Sequence, residues 1–369
     1  MKKVMVAASK TYDVLIGQDI LKDTGSLVAS VFDPCKLCII TDSTVDALYA
    51  DIVEASLKSS GFTVCKFVFA SGEQSKNIKT YNEILEYMAG QELTRSDAII
   101  ALGGGVAGDL AGFAAASYLR GIPFVQIPTT LLAAVDSSVG GKTGINLSHG
   151  KNLAGAFWQP SLVLCDCSTF ATLPQSTILD GVAETIKYGM ILDQELFEFL
   201  SDKTIDFFTD LSPEAATATG AAETLSLESV VERCVSLKRD VVMEDERDTG
   251  KRQLLNFGHT IGHAVEKCSN FQISHGHAVA IGMLIVSRAA FEMNLVPNDC
   301  SKSVKDMLIQ FGFSLICPYS SKQLADAALM DKKRTNREIT LVLPYAVGDC
   351  RLKKIEVTLL EPFIGKGLS

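Results

Sequence analysis

No stretch of this 369-residue sequence is apolar over the roughly 20 residues that a membrane-spanning helix requires, so a membrane protein is not expected. The first ten residues contain only about five apolar side chains before polar residues return, too few for the core of a secretory signal peptide. Internal repeats are also missing, which disfavours repeat architectures. We therefore expect a globular protein of the cytoplasm, in agreement with its 47% hydrophobic and 21% charged residues.

The sequence also lacks an excess of positive charge, and its cysteines are not spaced as in a disulfide framework. The net charge of -9 disfavours a general nucleic-acid-binding protein, although a local basic pocket for an anion stays open. Ten cysteines are scattered along the chain, which predicts reduced thiols rather than disulfides. Cys35 and Cys38 have the spacing of a redox motif, but they lead into a predicted strand, where residues three apart face opposite sides. No redox or zinc site is expected at this pair.

Two domains are expected, because 369 residues exceed what one hydrophobic core usually organises. The first half alternates short β-branched runs with helical periodicity, which predicts a mostly parallel α/β sheet. After Pro174 the periodicity is that of long helices. We predict a Rossmann-like α/β domain over residues 1–175 and an all-α domain over residues 176–369, with the ligand site in the cleft between them. The predicted strands are 36–41, 63–69, 97–102, 124–128 and 162–166, with an isolated one at 339–344.

A glycine-rich turn follows the predicted strand 97–102 and leads into an apolar helix. Glycines let the backbone approach a pyrophosphate, and a helix N-terminus supplies unpaired N–H groups. The pattern is weak alone, since a tight turn without a ligand looks similar, and it lies too late in the chain for an ordinary Rossmann fingerprint. Other loops expected at the same sheet edge contain Asp42, Glu73, Lys76, Thr129 and Thr130. Their convergence favours a dinucleotide site.

The segment Gly140-Gly141-Lys142-Thr143 looks like the end of a phosphate-binding P-loop. The first glycine of that motif would stand at position 136, which is Asp136, so a kinase or an ATPase is disfavoured. What remains is a glycine-flanked Lys142, followed by Lys151 and Asn152. These polar groups indicate an anionic substrate, with ordinary surface lysines as the alternative.

Histidine is scarce, and four of the five lie between residues 256 and 277. This concentration predicts a metal or catalytic site, with helix caps and a core histidine as the alternative. His259 and His263 are four apart and share a face of a predicted helix, although the metalloprotease pattern His-Glu-x-x-His is absent. A catalytic zinc needs a third ligand. Glu184 is a candidate, but an intrahelical ion pair with Lys187 explains that carboxylate more simply.

Taken in order, these segments resemble the motifs of the 3-dehydroquinate synthase family, from about residue 42 to residue 348. Each motif is weak alone, but seven in the right order are specific. They cover residues 103–110, 128–130, 136–146, 150–152, 184–189, 256–263 and the stretch from 275 onward. The resemblance implies a Rossmann-like N-terminal domain and a helical C-terminal domain. It also implies bound NAD, a divalent metal that is usually zinc and otherwise cobalt, and a homodimer.

The resemblance further implies roles for single residues. Metal ligands fall on Glu184, His259 and His275, so that His263 becomes a substrate or proton-relay residue. Cofactor contacts fall on Asp42, Glu73, Lys76, Gly104, Gly105, Asp109, Thr129, Thr130, Asp136, Lys142 and Lys151. Substrate contacts fall on Asp136, Lys142, Asn152, Lys187, Lys238, Arg252, Asn256, His263 and Lys332, with Arg120 reaching across a dimer interface. Catalytic roles fall on Lys142, Lys187, Lys238, Arg252, Asn256 and His263.

The implied reaction converts 3-deoxy-D-arabino-heptulosonate 7-phosphate to 3-dehydroquinate and phosphate, in the shikimate pathway of aromatic amino acid biosynthesis. NAD oxidises one hydroxyl transiently and is regenerated, so the net step is that of a lyase. Arg252 and Lys238 are expected to hold the substrate carboxylate. Arg252 and Asn256 are four residues apart, which on a continuing helical turn would direct both into one pocket. The expected phosphate contacts are Lys142, Asn152, Asn256, Lys332 and Arg120.

Two positions depart from the usual family pattern. His277 stands where the family usually has Glu, which puts the tuning of the metal ligands in question. Asp180 is expected to be a surface variation. Rival functions are another sugar-phosphate cyclase, such as a 2-deoxy-scyllo-inosose or sedoheptulose-phosphate cyclase, and a polyol dehydrogenase of the glycerol dehydrogenase type. A noncatalytic binding module is the alternative from a different class.

Overall fold

The computed structural model describes residues 1–202, 226–329 and 337–369. These residues form two compact units. The first contains Met1–Leu173 and Ser226–Arg247, and the second contains the other described residues. The first unit thus includes a segment well beyond residue 175. Two consecutive domains divided at that residue do not describe this arrangement.

Nine strands lie in the first unit as the structure describes it. Seven of them form one sheet in the order β1-β2-β9-β6-β5-β3-β4, and β7 pairs with β8 in a separate antiparallel hairpin. All pairings within the large sheet are parallel except that of β1 with β2. The strands are β1 Lys2–Ala7, β2 Thr11–Gly17, β3 Lys36–Asp42, β4 Thr63–Phe69, β5 Ala98–Gly103, β6 Phe124–Pro128, β7 Lys142–Leu147, β8 Gly150–Phe157 and β9 Leu162–Asp166. The prediction of a mostly parallel sheet is confirmed.

The strands of this sheet read as unbroken apolar runs because both faces of the sheet are covered. In β5 all six residues are buried. Ile100 and Leu102 pack into one hydrophobic cluster, while Ile99 and Ala101 pack into another. The helices of the first unit are α1 Thr24–Ala29, α2 Ser43–Val45, α3 Asp51–Ser59, α4 Ile78–Gly90, α5 Gly105–Ser117 and, after the second unit has begun, α8 Leu227–Glu244.

The second unit is mainly helical, as predicted, and it also contains one antiparallel hairpin. Its described helices are α6 Gln175–Leu192, α7 Gln194–Ser201, α9 His259–Cys268, α10 His275–Glu292, α11 Ser301–Gln310, α12 Ser321–Leu329 and α13 Leu360–Leu368. The hairpin pairs β10 Glu338–Ala346 with β11 Asp349–Glu356, so the isolated strand predicted at 339–344 finds its partner in the following segment. None of the helices in the described ranges is both long and apolar enough to cross a membrane.

Helices α9 and α10 approach closely at glycines. A Cβ on Gly282 would lie 2.1 Å from the carbonyl oxygen of Gly258, and a Cβ on Gly262 would lie 3.0 Å from the Cα of Val279. Gly258 also has a φ of 77°, which an L side chain rarely adopts, and it separates α9 from the preceding turn. This close packing brings the side chains at the beginnings of α9 and α10 together.

All ten cysteines are free thiols, in line with the sequence expectation.

Candidate active site

The carboxyl ends of three neighbouring strands carry the predicted nucleotide-binding loops. Gly103 ends β5 with a φ of 149°, and a Cβ there would lie 2.8 Å from the Cβ of Ala107. Gly104 precedes the first residue of α5, and a Cβ on it would lie 3.0 Å from Cγ2 of Thr130. A side chain at either position would crowd the turn, which leads directly into the N-terminus of α5, where the backbone N–H groups of the first helical turn have no partner within the helix.

Asp42 and Thr130 flank this turn, and both also make local hydrogen bonds. Asp42 ends β3 and accepts from the backbone N–H of Thr44 at 2.9 Å and of Val45 at 3.1 Å. The Thr130 hydroxyl accepts from the N–H of Ala133 at 3.2 Å. The strands β3, β5 and β6 are adjacent, so the expected convergence of their loops at one sheet edge is present.

Lys76 joins these loops to the hairpin of β7 and β8. Lys76 is 5% exposed, and its ammonium donates to Asp109 Oδ2 at 2.5 Å and to Asn152 Oδ1 at 2.6 Å. Burial raises the pKa of the Asp109 carboxyl, and the positive charge of Lys76 opposes that rise. Glu73 accepts from Asn146 Nδ2 at 2.7 Å. Lys76, Asp109 and Glu73, which are predicted to hold a cofactor, thus take part in the polar contacts that join these loops to the hairpin.

A cavity of about 540 Å³ opens beside these contacts within the first unit. Lys238 enters it from α8, and its ammonium contacts the Asp136 carboxylate at 2.9 Å and donates to the Asp136 carbonyl at 2.7 Å. Among the residues predicted from the sequence, those that line this cavity are Asp109, Asp136, Lys142, Asn152 and Lys238. Five residues that are spread over 130 positions of the chain therefore line one cavity, to which they contribute two lysines, two carboxylates and one amide.

Three side chains of the second unit form a possible metal centre. Glu184 lies in α6, whereas His259 and His275 are the first residues of α9 and α10. The Nε2 atoms of both histidines lie 3.4 Å from Glu184 Oε1, and the three donor atoms lie within 4.8 Å of one another. Ligands about 2.0–2.1 Å from a tetrahedral zinc ion are roughly 3.3–3.4 Å apart, and two histidines with one carboxylate are a common catalytic set. The residues present therefore fit a divalent metal.

Burial and charge both favour a ligating carboxylate at Glu184. Residues 181–191 of α6 are all buried, and Glu184 itself is 0% exposed. Burial alone would raise the pKa of this carboxyl, but the charge of Lys187 and the contact with His259 hold it well below its ordinary value. Oε2 pairs with Lys187 while Oε1 faces the histidines. The ion pair and the metal centre, treated as alternatives at the sequence level, are thus compatible.

The first histidine has its tautomer fixed by the backbone. His259 Nδ1 donates to the carbonyl oxygen of Phe257 at 3.0 Å, which leaves Nε2 with the lone pair that a metal needs. His263, one turn later and exposed, has its ring 5.4 Å from that of His259 and 5.9 Å from that of His275. His259, His263 and Asn256 line a cavity of about 370 Å³. His263 therefore lies beside the possible metal centre but is not one of its three donors, which are Glu184, His259 and His275.

Arg252 does not share this cavity with Asn256, and the geometry predicted for the pair is wrong. The segment Lys251–Asn256 is a 3-10 helix, in which residues three apart, not four, lie on one face. Gln253 and Asn256 accordingly line the cavity, whereas Arg252 is not among the lining residues and is only 2% exposed. Gln253 was not singled out by the sequence reasoning. Only the 3-10 geometry reveals it.

Asp180 is not a surface variation. It is half-buried, and its Oδ1 accepts from the backbone N–H of Gly276 at 2.8 Å and from the hydroxyl of Ser274 at 2.6 Å. These bonds hold the beginning of α10, where His275 lies. His277 hydrogen-bonds to the Ser274 hydroxyl at 3.0 Å, and its ring lies 5.1 Å from that of Phe313.

Two further predicted residues, Arg120 and Lys151, are in neither of these clusters. Arg120 is exposed after the end of α5, with a φ of 69°. Lys151 lies half-buried on β8. Lys332 lies outside the described residues.

Sequence comparisons find one family across the chain. The family described as "3-dehydroquinate synthase N-terminal" matches residues 66–180, and "3-dehydroquinate synthase C-terminal" matches residues 181–334. The 3-dehydroquinate synthase of Streptococcus gordonii is 43% identical over 357 residues, which are 96% of this chain and 97% of that protein. The enzyme of Streptococcus thermophilus is 40% identical over 370 residues, 99% of this chain and 100% of that protein.

Solved structures agree with the sequence comparisons. A 2-deoxy-scyllo-inosose synthase complexed with carbaglucose-6-phosphate, NAD+ and Co2+ superposes with a TM-score of 0.85 at 27% identity, with both chains fully covered. A 2-epi-5-epi-valiolone synthase from Streptomyces hygroscopicus with NAD+ and Zn2+ bound superposes with a TM-score of 0.82 at 25% identity, covering 98% of each chain. A glycerol dehydrogenase from Schizosaccharomyces pombe, at 16% identity and a TM-score of 0.62, covering 100% of this chain and 90% of that one, shares the fold.

Proposed function

The chain belongs to the 3-dehydroquinate synthase family, and from this membership we propose that it converts 3-deoxy-D-arabino-heptulosonate 7-phosphate to 3-dehydroquinate and phosphate. The activity is that of a lyase in the shikimate pathway of aromatic amino acid biosynthesis. The observation that carries the proposal beyond family membership is the cluster of Glu184, His259 and His275, whose donor atoms suit a divalent metal.

The cofactors of this reaction are NAD and a divalent metal, zinc or cobalt, in line with the ligands of the two cyclases named above. Glu184, His259 and His275 would hold the ion, which when bound polarises substrate hydroxyl and carbonyl oxygens. When bound, NAD would serve as a reversible hydride acceptor. Lys76 and Asp109, with the turn at Gly104, would hold the dinucleotide.

The remaining polar residues would bind the substrate and move its protons. His263 is exposed beside Asn256 in the cavity of the second unit, where its imidazole can exchange a proton with a substrate hydroxyl. In the first unit, Lys142 and Asn152 supply a cation and an amide for the phosphate, and Lys238 supplies a cation for the carboxylate. Lys332 is proposed for the phosphate on the family resemblance alone.

We further propose a homodimer in the cytoplasm, with Arg120 reaching the substrate of a partner copy. The support is the family resemblance together with the exposed position of Arg120 at the end of α5. Light scattering should give twice the mass of the 39.7 kDa chain. A monomer that is fully active would contradict both the dimer and the role of Arg120.

We predict that NAD acts catalytically, because the hydride returns to the carbon from which it came. Purified protein with the heptulosonate phosphate, zinc and substoichiometric NAD should release many phosphates and many dehydroquinate molecules per NAD. Phosphate, dehydroquinate and the absorbance of NADH are followed together. One NADH accumulating per product would instead favour the polyol dehydrogenase, and turnover of glucose 6-phosphate in place of the heptulosonate would favour a cyclase of the 2-deoxy-scyllo-inosose type.

We predict that Lys76→Met weakens NAD binding by about 10- to 100-fold. In the proposed site Lys76 donates a charged hydrogen bond to the dinucleotide, and the loss of a hydrogen bond to a charged group costs about 1.5–3 kcal/mol. The dissociation constant is measured by titration calorimetry. Lys79→Met is the matched control, since Lys79 lies three residues away with its side chain 83% exposed. If the two variants bind NAD with equal affinity, Lys76 is not part of the cofactor site.

A further inference from the structure

A second buried carboxylate lies next to the possible metal centre, and the sequence reasoning did not identify it. Glu266 is 3% exposed in α9, and its Oε2 lies 3.4 Å from Nδ1 of His275. The other ring nitrogen of His275, Nε2, lies 3.4 Å from Glu184 Oε1. His275 therefore lies between two carboxylates, one at each ring nitrogen.

Helix geometry explains how Glu266 reaches His275. His259, His263 and Glu266 occupy positions i, i+4 and i+7 of α9, which form one face of a helix. That face is turned toward the beginning of α10 because α9 and α10 approach closely at Gly262 and Gly282. Helix α9 thus presents both His259 and the carboxylate that contacts His275.

Each histidine of the Glu184 cluster has its Nδ1 next to an oxygen acceptor. For His259 the acceptor is the backbone carbonyl of Phe257 at 3.0 Å, and for His275 it is the Glu266 carboxylate. A metal-binding imidazole usually donates its other N–H to a carbonyl or a carboxylate, which fixes the tautomer and the ring orientation. His277, by contrast, contacts the Ser274 hydroxyl and the ring of Phe313.

We propose that Glu266 is a positioning residue of the metal site, which accepts a hydrogen bond from His275 Nδ1 and thereby directs Nε2 toward Glu184. The inference rests on the proposed metal site. The competing possibility is that Glu266 is itself a ligand, because its carboxylate, His263 and His275 also have donor atoms within 4.8 Å of one another. The Glu184 set is favoured because it uses Nε2 of His275 and leaves Nδ1 to Glu266, whereas a Glu266 set would leave the buried Glu184 without the ion.

The test measures metal affinity directly. Zinc dissociation constants are obtained by competition with a chromogenic chelator for the unmodified protein, Glu266→Gln, Glu266→Asp and Glu184→Gln. Glu292→Gln is the matched control, since Glu292 is exposed at the other end of α10. The visible absorption of the cobalt-loaded proteins reports the coordination number, and thermal unfolding reports the fold.

We expect Glu266→Gln to weaken zinc binding by about 10- to 100-fold, with Glu266→Asp closer to the unmodified protein and Glu292→Gln within twofold of it. The cobalt spectrum of Glu266→Gln should keep the intensity of the unmodified site, because all three ligands remain. Unchanged zinc affinity with a lowered unfolding temperature would show a purely structural role and overturn the proposal. A change of cobalt coordination number in Glu266→Gln would make Glu266 a ligand and overturn it too. Failure of the unmodified protein to bind zinc would contradict the metal site itself, a separate outcome.

Discussion

Glu184→Gln is expected to lower zinc affinity by more than about 100-fold, beyond the range seen when only a supporting residue is lost. The substitution keeps the size of the side chain but removes the anionic oxygen that faces both His259 and His275 at 3.4 Å. Turnover should fall with metal content, because a neutral amide oxygen replaces the anionic ligand beside the two histidines. Metal content after dialysis and the rate of phosphate release are measured on the same samples.

The same variant distinguishes ligation from the ion pair with Lys187. Both partners are almost completely buried, at 0% and 1% exposure, so the loss of the carboxylate also destabilises the fold. Chelation of the unmodified protein is the control, since it removes the ion without touching the pair. We expect a chelator to abolish activity and added zinc to restore it. If Glu184→Gln keeps both zinc and turnover, Glu184 is only the partner of Lys187.

The parallel sheet could be predicted from the sequence because its strands are covered on both faces. Residues 98–103 are all buried, so the strand reads as an uninterrupted apolar run, and the glycines that end it mark the turn into α5. The sequence has no comparable pattern to show that the chain returns to the first unit at α8. An amphipathic helix has the same periodicity whichever unit it packs against.

The possible metal centre could be predicted only in part. The spacing of His259 and His263 correctly indicates a shared helix face, but a shared face does not make two residues ligands of one ion. Glu184 and His275 come from other helices, and the periodicity of single helices does not say which helices meet. The family resemblance named both residues, and the packing of α6, α9 and α10 accounts for their proximity. Glu266 contacts a ligand rather than the ion in our proposal, and neither the spacing nor the resemblance pointed to it, whereas Asp180 was noted as a departure from the family but misjudged as a surface variation.

The predicted helical turn through Arg252 failed for a local reason. Gly258, with its φ of 77°, interrupts the helix before His259, and the segment Lys251–Asn256 adopts the tighter 3-10 form. The guanidinium consequently has a buried environment rather than a place in the cavity that Asn256 lines. A buried guanidinium needs hydrogen-bonding partners within the protein, so its removal has a cost even without a substrate.

Arg252→Ala is nevertheless expected to lower kcat/KM for the heptulosonate phosphate by more than about tenfold, because removing one partner of a buried, charge-assisted pair costs roughly 2–5 kcal/mol. NAD and zinc affinities should stay nearly unchanged if the guanidinium serves the substrate carboxylate. Lys251→Ala, an exposed neighbour on the same 3-10 helix, is the control. Kinetics are measured together with the unfolding temperature, so that activity is counted per folded molecule.

Buried Arg252 can either bind the substrate carboxylate or only stabilise the fold. Rates measured with a second sugar phosphate distinguish these two roles. If Arg252 binds the carboxylate, the unmodified enzyme should reject sedoheptulose 7-phosphate, which has none, and Arg252→Ala should lose much of that discrimination. If Arg252 only stabilises the fold, the unfolding temperature falls while the ratio of the two rates stays the same. Unaltered kinetics of Arg252→Ala, or equal use of both sugar phosphates by the unmodified enzyme, would remove Arg252 from carboxylate recognition and leave Lys238 as the residue to test.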